Sequence, residues 1–185
     1  GESKGGKHAY MLLEECVPPV PDITKDEALA RLARNYFRSH TPATLQDFVW
    51  WSGLSVTEAK QGIYLIGSEL TEEQWKGQTW YLHESGRTRG SIKGHIRFLP
   101  PYDELLLGYK DRTDVLLSEH CSKAFTGNGL FFPVILYEGQ IVGNWDRKAK
   151  RNGCDPGYSL FRQESRIDEA LLDKAQQQYM QFLGK

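Results

Sequence analysis

The stretch from Thr41 to Ile63, TPATLQDFVWWSGLSVTEAKQGI, constrains the fold more than any other part of the chain because it carries its own punctuation. Gly53 follows an apolar run of Leu45, Phe48, Val49 and either Trp51 or Trp50, and can end a helix in the left-handed conformation that a Cβ resists. Two residues on, Ser55 with Glu58 three positions later matches a capping box, in which each side chain satisfies a backbone N–H of the other. A stop and a start this close leave room only for a tight Gly53-Leu54 turn, so the segment reads as two helices in a helix-turn-helix.

The segment before it reads the same way. Thr24 and Glu27 form another capping box, and Ala28, Leu29, Leu32, Ala33, Tyr36 and Phe37 recur at helical spacing, which commits one face of residues 25–39 to a core. Three helices need cover on their remaining side. Residues 78–84 and 95–99 alternate as strands do, and the Gly- and Arg-rich residues 85–94 between them are loop by composition. Three helices followed by that hairpin make a winged helix, an arrangement that places its second motif helix in a DNA groove. On that helix Val56, Ala59, Ile63 and Ile66 are expected to face the core, leaving Thr57, Lys60, Gln61, Tyr64 and Ser68 outward.

From Phe98 the chain changes character. Residues 130–137 and 140–145 read as strands joined by Glu138-Gly139, a two-residue hairpin turn, with a further strand over 158–162. Asp168 can cap a last helix whose Leu171, Leu172, Ala175, Tyr179, Phe182 and Leu183 share one side, with Gly184 just past its end. The expected class is α+β. A strand and linker over 1–23, with Val17-Pro-Pro-Val-Pro21 as the extended link, leads into a winged helix-turn-helix domain over 24–97, then a β-rich, barrel-like unit with a C-terminal helix over 98–185.

Charge narrows the functional classes. With 23 Lys and Arg against 24 Asp and Glu, the net charge of −1 gives no global pull toward nucleic acid, so a nucleoid-coating role is disfavoured and any binding rests on local patches. Three widely spaced cysteines suit reduced thiols better than a disulfide framework. The longest apolar runs are too short to span a bilayer and no apolar leader opens the chain, so the expected compartment is the cytoplasm. The first residue is Gly1 and the sequence runs at once into His8-Ala-Tyr-Met-Leu-Leu13, from which we expect a piece of a longer protein.

Two basic clusters stand out. Arg87, Arg89, Lys93 and Arg97 have no acid between Ser85 and Phe98, and Arg147, Lys148, Lys150 and Arg151 crowd five positions. Such side chains on hairpin tips can lie on phosphates, which gives affinity without sequence information. We expect both clusters in loops on one common face. By contrast, Lys60 is the one full positive charge on the outward face of the second motif helix, where Gln61 could meet an adenine edge. Trp145 reads as core more readily than as a stacking platform, and Asp103 with Glu104 reads as a cap for Leu105-Leu-Leu107 more readily than as an acid–base pair. Glu119-His120-Cys121 has ligand types without ligand spacing, so no metal or other cofactor is implied.

With those residues in view, the chain resembles a bacterial family of winged-helix proteins related to the AlkZ/YcaQ DNA glycosylases. The resemblance rests on Gly6-Lys7-His8-Ala9-Tyr10, on Ala28–Phe37 (ALARLARNYF), and on Asp47-Phe48-Val49-Trp50-Trp51-Ser52-Gly53-Leu54. It continues through Leu99-Pro100-Pro101-Tyr102-Asp103-Glu104, Gly108-Tyr109-Lys110-Asp111-Arg112, and Pro133-Val134-Ile135-Leu136 with Gly139 and Val142-Gly143. It covers nearly the whole chain but only the later part of the family's usual length, which implies further winged-helix units upstream. The resemblance also implies that base excision depends on an upstream Gln-apolar-Gln or Gln-apolar-Asp motif. Neither occurs here, and Gln176-Gln-Gln178 has a polar centre on a terminal helix. The implied role is the part of a DNA-repair glycosylase for alkylated or crosslinked bases that binds double-stranded DNA, without catalysis of its own. A transcription regulator and a non-catalytic interaction module are the alternatives.

Overall fold

The computed structural model describes residues 3–4, 7–8, 10–19, 21–86, 90–150, 153–162 and 167–182; of residues 3–4, 7–8, 147–150 and 153–155 the backbone alone is described. A small antiparallel pair, β1 (Ser3–Lys4) and β2 (Lys7–His8), and one helical turn, α1 (Leu13–Cys16), open the chain. The helical unit then begins at α2 (Lys25–Ser39), started by the Thr24–Glu27 capping box, whose reciprocal bonds are both formed.

Next come β3 (Ala43–Thr44), α3 (Leu45–Ser52) and α4 (Val56–Leu65). Gly53 ends α3 at φ 69°, and the Ser55–Glu58 box starts α4, as the sequence indicates. A third box, Thr44 with Asp47, starts α3. Helices α2 and α4 approach closely because the contact is made of small residues: a Cβ on Gly62 would stand 3.1 Å from the Leu29 carbonyl oxygen and 3.3 Å from the Ala33 Cβ. Tyr36, Phe37, Phe48 and Ile66 are fully buried between the helices. Val56 is instead 44 % exposed, because it is the first helical residue and half-buried Leu54 fills the core from the turn.

The hairpin that follows corrects the sequence expectation. Residues 78–83 do form a strand, β5 (Gln78–His83), but its partners are β4 (Leu70–Trp75) and β3, in the order β3-β5-β4. A two-residue turn, Lys76-Gly77 with φ 50° and 73°, joins β4 to β5. Strand β4 hides in the sequence because Thr71, Glu72, Glu73 and Gln74 are all exposed, leaving no apolar alternation to find.

The second sheet has the order β6-β7-β8-β9, all antiparallel, from β6 (Ile96–Leu99), β7 (Val134–Tyr137), β8 (Gln140–Lys150) and β9 (Gly153–Leu160). Residues 95–99 therefore pair with β7, from Ile96 opposite Tyr137 to Leu99 opposite Val134, and not with residues 78–84. The sheet is open, with β6 and β9 at its edges, so the barrel-like expectation does not hold. Glu138 and Gly139 make the anticipated turn, with φ 47° and 82°.

Alternation along β7 sends side chains to two cores. Ile135 joins Ile96, Trp145, Leu172 and Ala175 under α7 (Glu169–Phe182), whereas Val134 joins Leu106, Leu116, Ala124 and Ile141 on the opposite face. That second face is covered by residues 104–131, including α5 (Glu104–Leu107) and α6 (Cys121–Ala124). Asp168 caps α7 through the Ala170 N–H, but Phe182 is 85 % exposed instead of packed; Leu183 and Gly184 lie outside the described residues. No described helix is long and apolar enough to cross a membrane.

Candidate nucleic-acid interface

The capping box that starts α4 also fixes which side of it faces solvent. Ala59, Gly62 and Ile63 are turned inward, and Thr57, Lys60, Gln61 and Tyr64 form one exposed strip, with Tyr64 79 % accessible. Glu58 sits beside that strip but is engaged. It closes the box with Ser55 and lies 2.8 Å from Lys25 Nζ, and these partners hold its carboxyl at about 2, well below the usual carboxylate range. Glu58 is thus partly neutralised by Lys25, and Lys60 is left as the strip's positive charge.

Of the first basic cluster, Arg87 and Arg89 lie outside the described residues, while Lys93 and Arg97 are exposed. Lys93 belongs to a turn anchored at the β7–β8 corner: the Gly94 N–H donates to Glu138 Oε1 at 2.6 Å, and Ile92 packs toward Gly139. Arg147, Lys148 and Lys150 belong to β8 and are strand, not loop, paired with β9 as far as Lys150 opposite Gly153; Arg151 lies outside the described residues. The described members therefore separate along β8: the Lys93 turn lies at its Gln140 end, and Arg147, Lys148 and Lys150 at its other end. Ten residue steps of extended strand separate Gln140 from Lys150, about 34 Å.

The remaining candidates resolve into structure. Asp103 caps α5, accepting from the Leu105 N–H at 2.9 Å, and Glu104 Oε2 lies 3.3 Å from Nε2 of the buried His40. Trp145 is core, 7 % exposed, with its indole N–H donating to the Leu99 carbonyl at 2.7 Å. Glu119 is bonded to Arg162, which lowers its carboxyl pKa, and no metal-holding group of three His, Cys, Asp or Glu residues occurs among the described residues.

What the sequence reading missed is a polar seam between the helical unit and the sheet unit. Buried Asp47 closes its capping box with one oxygen and accepts from the Lys110 N–H with the other at 2.9 Å. Tyr36 donates its hydroxyl to the Gly108 carbonyl at 2.8 Å, and the Trp50 indole donates to the Leu107 carbonyl at 3.1 Å. Burial drives the Tyr36 hydroxyl far above its ordinary range and that of Tyr109 to about 12, so both stay neutral and Tyr36 keeps the proton it donates. Arg112 is held by the Leu106 and Lys110 carbonyls and by the rings of Trp50, Phe125 and Phe131. The one signal for the seam in the sequence was Asp47 three residues after Thr44, a capping box that passes unnoticed beside Ser55 and Glu58.

Helices packed on one antiparallel sheet and joined by this seam to a second sheet define a mixed α/β protein of the architecture found in a solved DNA repair enzyme. The fold superposes on Streptomyces sahachiroi DNA glycosylase AlkZ with a TM-score of 0.67 and 25 % identity, over 81 % of this chain and 41 % of that one. The family model described as DNA glycosylase AlkZ-like matches residues 1–182, and the chain belongs to that family. A curated relative, the interstrand DNA cross-link repair glycosylase of Streptomyces sahachiroi, is 29 % identical over 128 residues, which are 65 % of this chain and 34 % of the relative. The chain thus spans between a third and about two-fifths of the length of these relatives.

Proposed function

We propose that these 185 residues are the DNA-holding part of an AlkZ-like glycosylase that repairs alkylated or crosslinked bases, and that they do not release a base unaided. The observation that carries the reading is the exposed strip of Thr57, Lys60, Gln61 and Tyr64 on the second helix of a capped helix-turn-helix. The order helix, short strand, two helices and hairpin, with the short strand beside the last, supports reading residues 25–83 as a winged helix. In that reading Lys93 and the end of β8 are two separate phosphate anchors. Strand β8 alone runs about 34 Å, close to one turn of B-form DNA, roughly 34–36 Å, so a duplex lying along β8 could meet an anchor at each end.

Catalysis is assigned elsewhere because no Gln-apolar-Gln or Gln-apolar-Asp sequence occurs in these residues. Phosphate contacts give affinity for every sequence, and a strip with one lysine is poorly equipped for base-edge discrimination. The test pairs two measurements on the 185-residue chain: binding to several unrelated duplexes, and base release from an alkylated duplex. We expect affinities within about tenfold of one another and no release above the protein-free rate. A hundredfold preference for one sequence would favour a transcription regulator, the absence of duplex binding an interaction module, and base release would place catalytic groups within this chain.

A further inference from the structure

We propose that the free edge of β4 is a protein-docking strand, which pairs with a basic, extended segment of a partner protein. The three-stranded and four-stranded sheets leave four edges between them, and three of the four are blunted. Strand β3 has only two residues, β6 has four and runs into Pro100-Pro101, and β9 carries Pro156, which has no N–H to offer a neighbour. Strand β4 is different. Its six residues pair with β5 without a bulge, from Leu70 opposite His83 to Trp75 opposite Gln78, and contain no proline. Its other side meets no strand among the described residues, so about 20 Å of regular backbone is open to a further strand.

The side chains of that edge select the partner. Thr71 to Trp75 are all exposed, and neither Glu72 nor Glu73 has an ion-pair partner among the described residues. Successive strand residues face opposite sides, so the two carboxylates bracket the strand. Neighbouring cations do not offset them, because Arg34 is taken by Glu69 and Lys76, at the hairpin turn, by Asp114. A second copy of β4 is a poor occupant: antiparallel pairing centred on these residues sets carboxylates opposite one another, and like charges directly opposite destabilise a sheet. The same two charges repel DNA, which separates this edge from the proposed duplex-binding surface. A segment with two adjacent Lys or Arg residues in an extended run fits. Its cations pair across the strands with Glu72 on one face and Glu73 on the other, while backbone hydrogen bonds supply the affinity.

The test is calorimetric titration of the 185-residue chain with a short peptide of Thr and Val that carries Lys-Arg at its centre. We expect binding about tenfold tighter than that of the same peptide with Glu-Glu at its centre, the scale of two cross-strand attractions exchanged for two repulsions. Methylating the central amide nitrogens of the Lys-Arg peptide should abolish binding, and hydrogen exchange should show new protection confined to β4 amides. In the double variant Glu72→Lys, Glu73→Lys, at two exposed positions, the preference should reverse toward the Glu-Glu peptide with the thermal midpoint retained. Binding undiminished by N-methylation would reduce the contact to unspecific charge attraction and overturn the proposal, as would equal binding of the two peptides or binding of neither. Protection of β4 that grows with the concentration of the chain alone would assign the edge to a second copy, and protection by a DNA duplex would assign it to nucleic acid; either result also overturns the proposal.

Discussion

The helical unit and the sheet unit are organised on different length scales. In the helical unit each of α2, α3 and α4 is started by a contact three residues away, Thr24 to Glu27, Thr44 to Asp47 and Ser55 to Glu58, and one core gathers behind them. In the sheet unit β6 must find β7 across some forty residues, and a single sheet separates two cores. Of the sheet unit, Tyr109 packs against the helical core. What joins the two units is the hydrogen-bonded seam at residues 104–110, where Asp47, Tyr36 and Trp50 meet backbone groups. The two units thus follow local and non-local rules respectively and are held in register by polar groups that tolerate little displacement.

The largest effects probe whether the seam makes the units one cooperative system. Phe48→Ala in the helical unit and Trp145→Ala in the sheet unit should each destabilise by about 3–5 kcal/mol, because each empties a fully packed aromatic site. In urea denaturation followed by circular dichroism and tryptophan fluorescence, both variants should retain a single transition shared by the two probes. Separate transitions would break the comparison and make the seam a mere contact.

Asp47→Ala attacks the seam directly. It leaves the Thr44 and Lys110 N–H groups without their acceptor in a buried setting, and we expect a loss of about 2–4 kcal/mol in the same denaturation measurement. A loss below about 0.5 kcal/mol, the scale of an ordinary surface change, would show that the seam carries no stability.

Gly108→Ala presses on the seam from the other side. Its backbone is helical and accepts a side chain, but the new Cβ would stand 2.4 Å from two atoms of the His40 ring and 2.8 Å from the Glu104 carbonyl oxygen. Overpacking of this kind should cost about 1–3 kcal/mol, read as a lowered thermal midpoint.

The smallest effect is local to the start of α4. Glu58 is held at about 2 in the folded chain against an ordinary 4.5, by Lys25 first and then Ser55, so its contribution is present above pH 4.5 and is lost as the pH falls toward 2. In Lys25→Ala the thermal midpoint should fall less steeply across that window than in the parent chain. An unchanged slope would remove the ion pair from the account.

The contrast in length scale also explains what could be read from the sequence. The capping boxes at Ser55 and Thr24, the Gly53 stop and the Glu138-Gly139 turn are all signals within a few residues, and each is found where the sequence places it. Strand β4 was not legible because its exposed Glu72, Glu73 and Gln74 carry no buried face, and its absence led residues 95–99 to be paired with the wrong strand. Of the candidate interface, the outward strip of α4 was legible from helical spacing alone. The separation of Lys93 from the β8 cluster was not, since it depends on which end of a sheet each segment joins. The seam partners Asp47 and Lys110 stand 63 residues apart, with nothing local to link them.

The proposed DNA-holding role requires phosphate contacts from a chain whose net charge is −1. The most direct test is the salt dependence of its binding to a B-form duplex, with and without charge reversal at Arg147 and Arg151. About four phosphate contacts predict a slope near −3.6 for the logarithm of the binding constant against the logarithm of salt concentration, with a shallower slope in the reversed variant. A slope near zero, or one unchanged by the reversal, would contradict a phosphate-holding role for the β8–β9 hairpin.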